Sequence, residues 1–175
     1  MKRFIFFFAL LVLSANQACT QVPEMRPAIQ NPAFDRQLVD LLSFTIPLLG
    51  VDVLYKNLHQ YQILDARERE EYEVSHIPGA QYIGYNYFDE SLLKGLDKNS
   101  PTVVYCSVGY RSEKIAERLR KMGFTKVYNL YGSLFEWANK GYPLENAKGQ
   151  KTQRIHTYNQ SWSQWVNRKG LIKVW

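Results

Sequence analysis

The chain has 175 residues, 46% hydrophobic and 22% charged, with a net charge of +6. This composition fits one globular domain with appendages and excludes a disordered or low-complexity chain. Two cysteines exclude a disulfide framework, and His59, His76 and His156 lack metal-ligand spacing, so neither a metal nor a cofactor is expected.

The first stretch, MKRFIFFFALLVLSA, has a basic start at Lys2 and Arg3, an unbroken apolar run from Phe4 to Leu13, and then small residues. That order is expected of a secretory signal peptide over residues 1–18, since the run is too short to span a membrane. Export, to a periplasm or to the outer face of a membrane, follows as an expectation. Ala18-Cys19 resembles the end of a bacterial lipoprotein cleavage box, with Asn16 where Leu is usual. Cys19 is then either a lipid anchor or part of a tail left by ordinary cleavage. No other run of the chain is long and apolar enough to read as membrane-spanning.

Residues 19–44 read as a polar, proline-punctuated linker followed by a helix. Asn31-Pro32 supplies an N-cap and a first-turn proline, and Phe34, Leu38, Leu41 and Leu42 recur at helical spacing. VDVLYKNL predicts a short helix and YQILDA a buried strand. REREEYEVSH is charged, with Tyr72 expected as its inward anchor. IPGAQYIGY predicts a turn and a second short strand, and SLLKGL a short helix.

TVVYC is a strand running into Cys106. From Arg111 to Met122, Ile115, Ala116 and Leu119 fall on one helical face, opposite Lys114, Glu117, Arg118 and Lys121, and Gly123 ends the helix. KVYNL is a further strand and SLFEWANKG a further helix. Alternating strands and helices with short connections imply an α/β fold, a mainly parallel central sheet flanked by helices. Reactive groups of such sheets lie beyond the carboxyl ends of the strands, where Cys106 falls.

The loop CSVGYRS explains why a cysteine there matters. Gly109 allows backbone angles that other residues avoid. If the loop curls around the thiol, the N–H groups of Ser107, Val108, Gly109, Tyr110 and Arg111 converge on it, and the positive end of the next helix adds to them. Both favour a thiolate or a bound anion, and Arg111 can add a charge-assisted bond. A nucleophile in a nest of donors suits sulfur or phosphoryl transfer.

Asp65-Ala66-Arg67, Glu71-Tyr72, His76-Ile77-Pro78-Gly79-Ala80, Cys106 through Ser112, Gly123-Phe124, and Trp137 with Gly141-Tyr142-Pro143 together resemble a single rhodanese (thiosulfate sulfurtransferase) domain over 45–144. The resemblance implies a persulfide on Cys106. A small sulfur-containing anion such as thiosulfate donates the sulfur, and a thiol or cyanide-like acceptor removes it. Carried over by residue, it makes Cys106 the nucleophile, 107–111 the anion cradle, Arg67 an anion contact or a structural residue, and Asp65 and Ser112 supports. His76 is implied as scaffold rather than base. Four residues separate Cys106 from Arg111, one fewer than in the phosphatase branch of the fold, which argues against phosphatase activity. Many sulfurtransferases carry Arg directly after the cysteine; Ser107 stands here and argues against efficient thiosulfate binding. Gly132-Ser133 replaces the family's Gly-Gly turn and is read as structural.

Residues 145–175 lie past the matched domain. Trp162 and Trp165 are spaced to share one face of a helix packed on the domain. Basic residues interleave with them, but export argues against nucleic acid as a partner. Two functions remain: an exported sulfurtransferase or sulfur carrier, and a non-catalytic or redox-sensing binding module of the same fold.

Overall fold

A computed structural model describes residues 22–175; the expected signal segment 1–18 and Cys19 lie outside the described residues. Five parallel strands form the central sheet in the order β1-β5-β4-β2-β3: β1 Leu48–Gly50, β2 Gln62–Asp65, β3 Gln81–Tyr82, β4 Thr102–Tyr105 and β5 Val127–Tyr131. β4 lies between β2 and β5, in register Leu64↔Val104 on one side and Val104↔Asn129 on the other. Its four residues are all buried, as expected for a strand covered on both faces.

Alternation along the strands builds two cores. Ile63, Val103 and Tyr105 face one cluster, shared with α1 (Pro32–Leu41), α2 (Val51–Lys56) and α5 (Ser133–Asn139). Leu64 and Val104 face the other, filled by Ile115, Ala116 and Leu119 of α4 (Tyr110–Lys121). The period of two along a strand is what sends neighbours to opposite layers.

Helix ends follow local chemistry. Asn31 Oδ1 accepts from the Ala33 and Phe34 amides at 2.9 and 3.4 Å, with Pro32 in the first turn of α1. α4 closes with Arg118, Arg120 and Lys121 in its last turn, where cations offset the helix dipole. Helix α3 (Arg69–Val74) opens with a capping box in which the Glu68 amide donates to Glu71 Oε2. It corrects one expectation: Glu71, not Tyr72, is its buried residue. Tyr72 lies half-buried, donates to the Ala80 carbonyl at 2.9 Å and stacks on His76.

The C-terminal segment also differs from the helix expected there. Trp162–Trp165 is a single 3₁₀ turn, and the segment is tied down by two short parallel strands, β6 (Arg154–His156) and β7 (Ile172–Val174). Too few apolar residues recur around the tryptophans to sustain a helix, whereas the branched residues of RIH and IKV suit strand pairing. Residues three apart eclipse in a 3₁₀ turn, so the two tryptophans still share a side. Trp165 stacks on Phe34 of α1 at 5.5 Å, and Ile155 and Val166 are fully buried in the same core. Among the described residues no helix is long and apolar enough to cross a membrane.

Candidate active site

Tyr105 ends β4, and Cys106 begins the loop that leads into α4. Of the expected 107–111 amide cradle, the Gly109 N–H is the one that bonds the sulfur among the described residues, and backbone accounting explains how the loop presents it. The Cys106 and Ser107 carbonyls accept from the Leu134 and Phe135 amides at the start of α5, both at 3.1 Å. The Gly109 carbonyl accepts from Asn129 Nδ2 at 3.0 Å and from the Glu113 amide at 3.1 Å. With these carbonyls engaged elsewhere, the Gly109 N–H points at Cys106 Sγ, 3.1 Å away. Gly109 has φ +122, a conformation that a side chain strongly disfavours.

Three residues that hold this loop were given no site role from the sequence. Ser133, itself at φ +51, accepts from the Cys106 amide at 3.1 Å and donates to the Leu130 carbonyl. The Gly132-Ser133 turn therefore does more than reverse the chain: its hydroxyl fixes the first amide of the loop. Gly132 is required for a second reason, since a Cβ there would come within 2.6 Å of Glu136 Cβ and Ile29 Cδ1. Asn129, buried in β5, bridges the Gly109 carbonyl and Ser112. Ser112 Oγ lies 2.7 Å from Asn129 Oδ1, 3.1 Å from the Gly109 carbonyl and 3.6 Å from Sγ. Its single proton serves the short bond to Asn129 best, so Ser112 supports the loop. A polar residue in the apolar run KVYNL was the one legible signal for Asn129.

The third is Glu71. Arg111 forms a bidentate pair with it, at 2.5 Å to Oε2 and 2.8 Å to Oε1. The Ser107 hydroxyl donates to the same carboxylate at 3.1 Å. Burial would raise the Glu71 carboxyl, but the Arg111 hydrogen bonds and the charges of Arg111 and Arg67 outweigh it and bring it down to about 2. Arg111 therefore faces the sulfur site with both terminal nitrogens already engaged and its charge compensated. The run REREEYEV offers four glutamates, and sequence spacing did not distinguish the buried one.

Arg67 requires correction as an anion contact. Its side chain is 0% exposed, fully enclosed. It donates to Asp65 Oδ2 at 2.6 Å and to the Ser75 carbonyl at 2.6 Å. Burial disfavours its charge, but Asp65 outweighs this and keeps the guanidinium protonated. Asp65 and Arg67 form a structural pair joining β2 to the 75–77 turn. His76 is engaged as scaffold: its ring stacks on Tyr72 and its backbone pairs with Glu145.

Cys106, 1% exposed, lies at the wall of a cavity of about 280 Å³. Ser107, Val108, Tyr110 and Arg111 line it from the loop and α4, and Tyr85 and Asn86 from the segment after β3. Glu68 at the start of α3, Leu41 of α1, and Tyr158 and Trp162 of the C-terminal segment complete it.

A sequence model of the rhodanese-like domain matches residues 50–140, and the chain belongs to that family. Among the relatives, the "Putative sulfur carrier protein YrkF" of Bacillus subtilis is 40% identical over 78 residues, covering 45% of this chain and 42% of that protein. The thiosulfate sulfurtransferase GlpE of Coxiella burnetii is 36% identical over 75 residues, 43% of this chain and 69% of that one. The chain thus spans less than half the length of the first of these relatives. Of solved structures, the rhodanese-like domain of the Anabaena protein Alr3790 has a TM-score of 0.54 at 28% identity, covering 61% of this chain and 83% of that domain.

Proposed function

We propose that the protein is a sulfurtransferase or sulfur carrier that works through a persulfide on Cys106. The observation that carries this reading is the Gly109 N–H directed at Sγ from a loop whose carbonyls are bonded elsewhere. Such a donor stabilises negative charge on the sulfur before and after transfer. In the first half-reaction the Cys106 thiolate attacks the outer sulfur of a donor such as thiosulfate. A new S–S bond forms, the donor's S–S bond breaks, and sulfite leaves with the electron pair. In the second, a nucleophile such as cyanide or a thiolate attacks the terminal sulfur, and the Cys106 thiolate departs. The relatives' names, a sulfur carrier and a thiosulfate sulfurtransferase, support the class of reaction.

The test is thiocyanate formation from a sulfane donor and cyanide. Turnover that disappears in Cys106→Ser, with the far-ultraviolet spectrum unchanged, is the expected result. Turnover retained in that variant would contradict the Cys106 persulfide route, and turnover absent from the wild-type chain would favour the binding-module reading instead. We further propose that the protein works outside the cytoplasm, on the strength of the basic-then-apolar stretch at 1–15. Terminal mass analysis of protein from the exported fraction tests this: a processed N-terminus is expected, and an intact one confined to the cytosol would contradict it.

A further inference from the structure

We infer that the site is built for an organic sulfane-sulfur donor with an apolar, aromatic-compatible body and at most one negative charge, in preference to the thiosulfate dianion, and that Tyr158 and Trp162 set this preference. The inference rests on the Cys106 persulfide reading above and specifies its substrate class.

Charge is the first argument. Arg111 is the cation on the cavity wall, and Glu71 holds it through two hydrogen bonds. Glu68 also lines the cavity, so one carboxylate stands on the wall beside a guanidinium whose charge Glu71 already compensates. Position 107, beside the cysteine, is a serine whose hydroxyl donates to Glu71. A dianion entering this site gains little Coulomb energy for the hydration it gives up.

Tyr158 and Trp162, on the same wall, lie outside residues 50–140 of the family match. Tyr158 lies with its ring over the Arg111 guanidinium, 5.3 Å from centroid to carbon, and caps its free face. It is 54% exposed yet held at φ +66, with its N–H donating to His156 Nδ1 at 3.1 Å. Burial lowers the His156 imidazole below its ordinary value, which leaves Nδ1 free to accept that bond. The Trp162 amide donates to Asn159 Oδ1 at 3.0 Å, and Asn139 Nδ2 ties the Trp165 carbonyl to α5 at 2.8 Å. An aromatic wall fixed at both ends needs little ordering when a ligand arrives. The cavity, about 280 Å³, is near the lower edge of small-molecule sites, which begin at about 300 Å³, and suits a ligand with a single ring.

The transfer step balances without a further reagent. The Cys106 thiolate attacks the terminal sulfur of an aryl thiosulfonate, forming the Cys106 S–S bond. The donor's S–S bond breaks, and the arylsulfinate leaves as a monoanion with the electron pair.

The experiment compares persulfide formation rates with thiosulfate, methanethiosulfonate and benzenethiosulfonate in the wild-type chain, Trp162→Ala and Tyr158→Ala. Intrinsic donor reactivity cancels when ratios are compared between variants. Either substitution is expected to lower the benzene-to-methane ratio about tenfold, a change of about 1.4 kcal/mol. It should also raise thiosulfate relative to benzenethiosulfonate. Ratios unchanged in both variants would overturn the inference, and Tyr158→Ala, at a half-exposed side chain, decides it should Trp162→Ala fail to fold. Calorimetry with benzenesulfinate and Cys106→Ser separates the two readings. Binding that weakens when Trp162→Ala is added upholds the aromatic wall even if no donor modifies Cys106. Absence of binding overturns the wall even if thiosulfate proves a good donor.

Discussion

At the scale of single residues, the account turns on Glu71, Gly109 and Cys106. The Glu71 carboxyl is held at about 2, below its ordinary 4.5, so its ionised form is favoured in the folded state. Its contribution to stability is therefore complete above about pH 4.5 and is lost as pH falls through 2. Glu71→Gln leaves the Arg111 guanidinium largely buried without its partner and should cost about 3 kcal/mol in urea unfolding at pH 7. The same variant should lose less stability than the wild-type chain between pH 4.5 and 2; parallel acid curves would show that the pair does not carry this dependence. Gly109→Ala tests the donor. Its Cβ meets only ordinary contacts, with Leu42 Cδ2 at 3.5 Å, so the penalty arises from φ +122. Moving the N–H off the sulfur should slow persulfide formation about tenfold or more while costing about 1–3 kcal/mol of stability. A rate equal to wild type would show that this amide does not act on the sulfur.

At the scale of elements, much of the architecture was legible and the reasons for the exceptions are physical. The strands ILD, TVVY and KVYNL are short apolar runs between turn signals, and α4 carries its Ile115, Ala116 and Leu119 stripe openly. The cysteine's place at the end of β4 could be read from the run of branched residues before it. Glu71 could not, because a buried carboxylate is recognisable only by its partner, and Arg111 lies forty positions away in the chain. Arg67 was ambiguous because the same guanidinium suits an anion or a carboxylate, and only its enclosure against Asp65 decides between them. The β6–β7 pair was missed because three-residue strands leave no periodicity to read. Among elements outside the family match, α1 is integral: Phe34 and Leu38 are fully buried, and Phe34 stacks on Trp165. Phe34→Ala should destabilise the protein by about 3–5 kcal/mol, read as a lower urea midpoint. A loss below about 1 kcal/mol would show that α1 rests on the domain without supporting it.

At the scale of the molecule, the described segments flanking residues 50–140 are part of one body with the domain. α1 and the C-terminal segment share a core with α2 and α5, through Leu38, Leu54, Phe135, Ile155 and Val166. Unfolding followed by tryptophan fluorescence and by far-ultraviolet signal should therefore coincide; separate midpoints would mean that the C-terminal segment detaches first. The same flanks complete the cavity over Cys106, which links the packing of the termini to the chemistry of the loop. The most direct measurement is the intact mass of the protein after brief exposure to a sulfane-sulfur donor and removal of the excess. The account predicts a gain of one sulfur atom, absent in Cys106→Ser and reversed by cyanide. No gain from thiosulfate or from either thiosulfonate, or a gain that survives in Cys106→Ser, would contradict it.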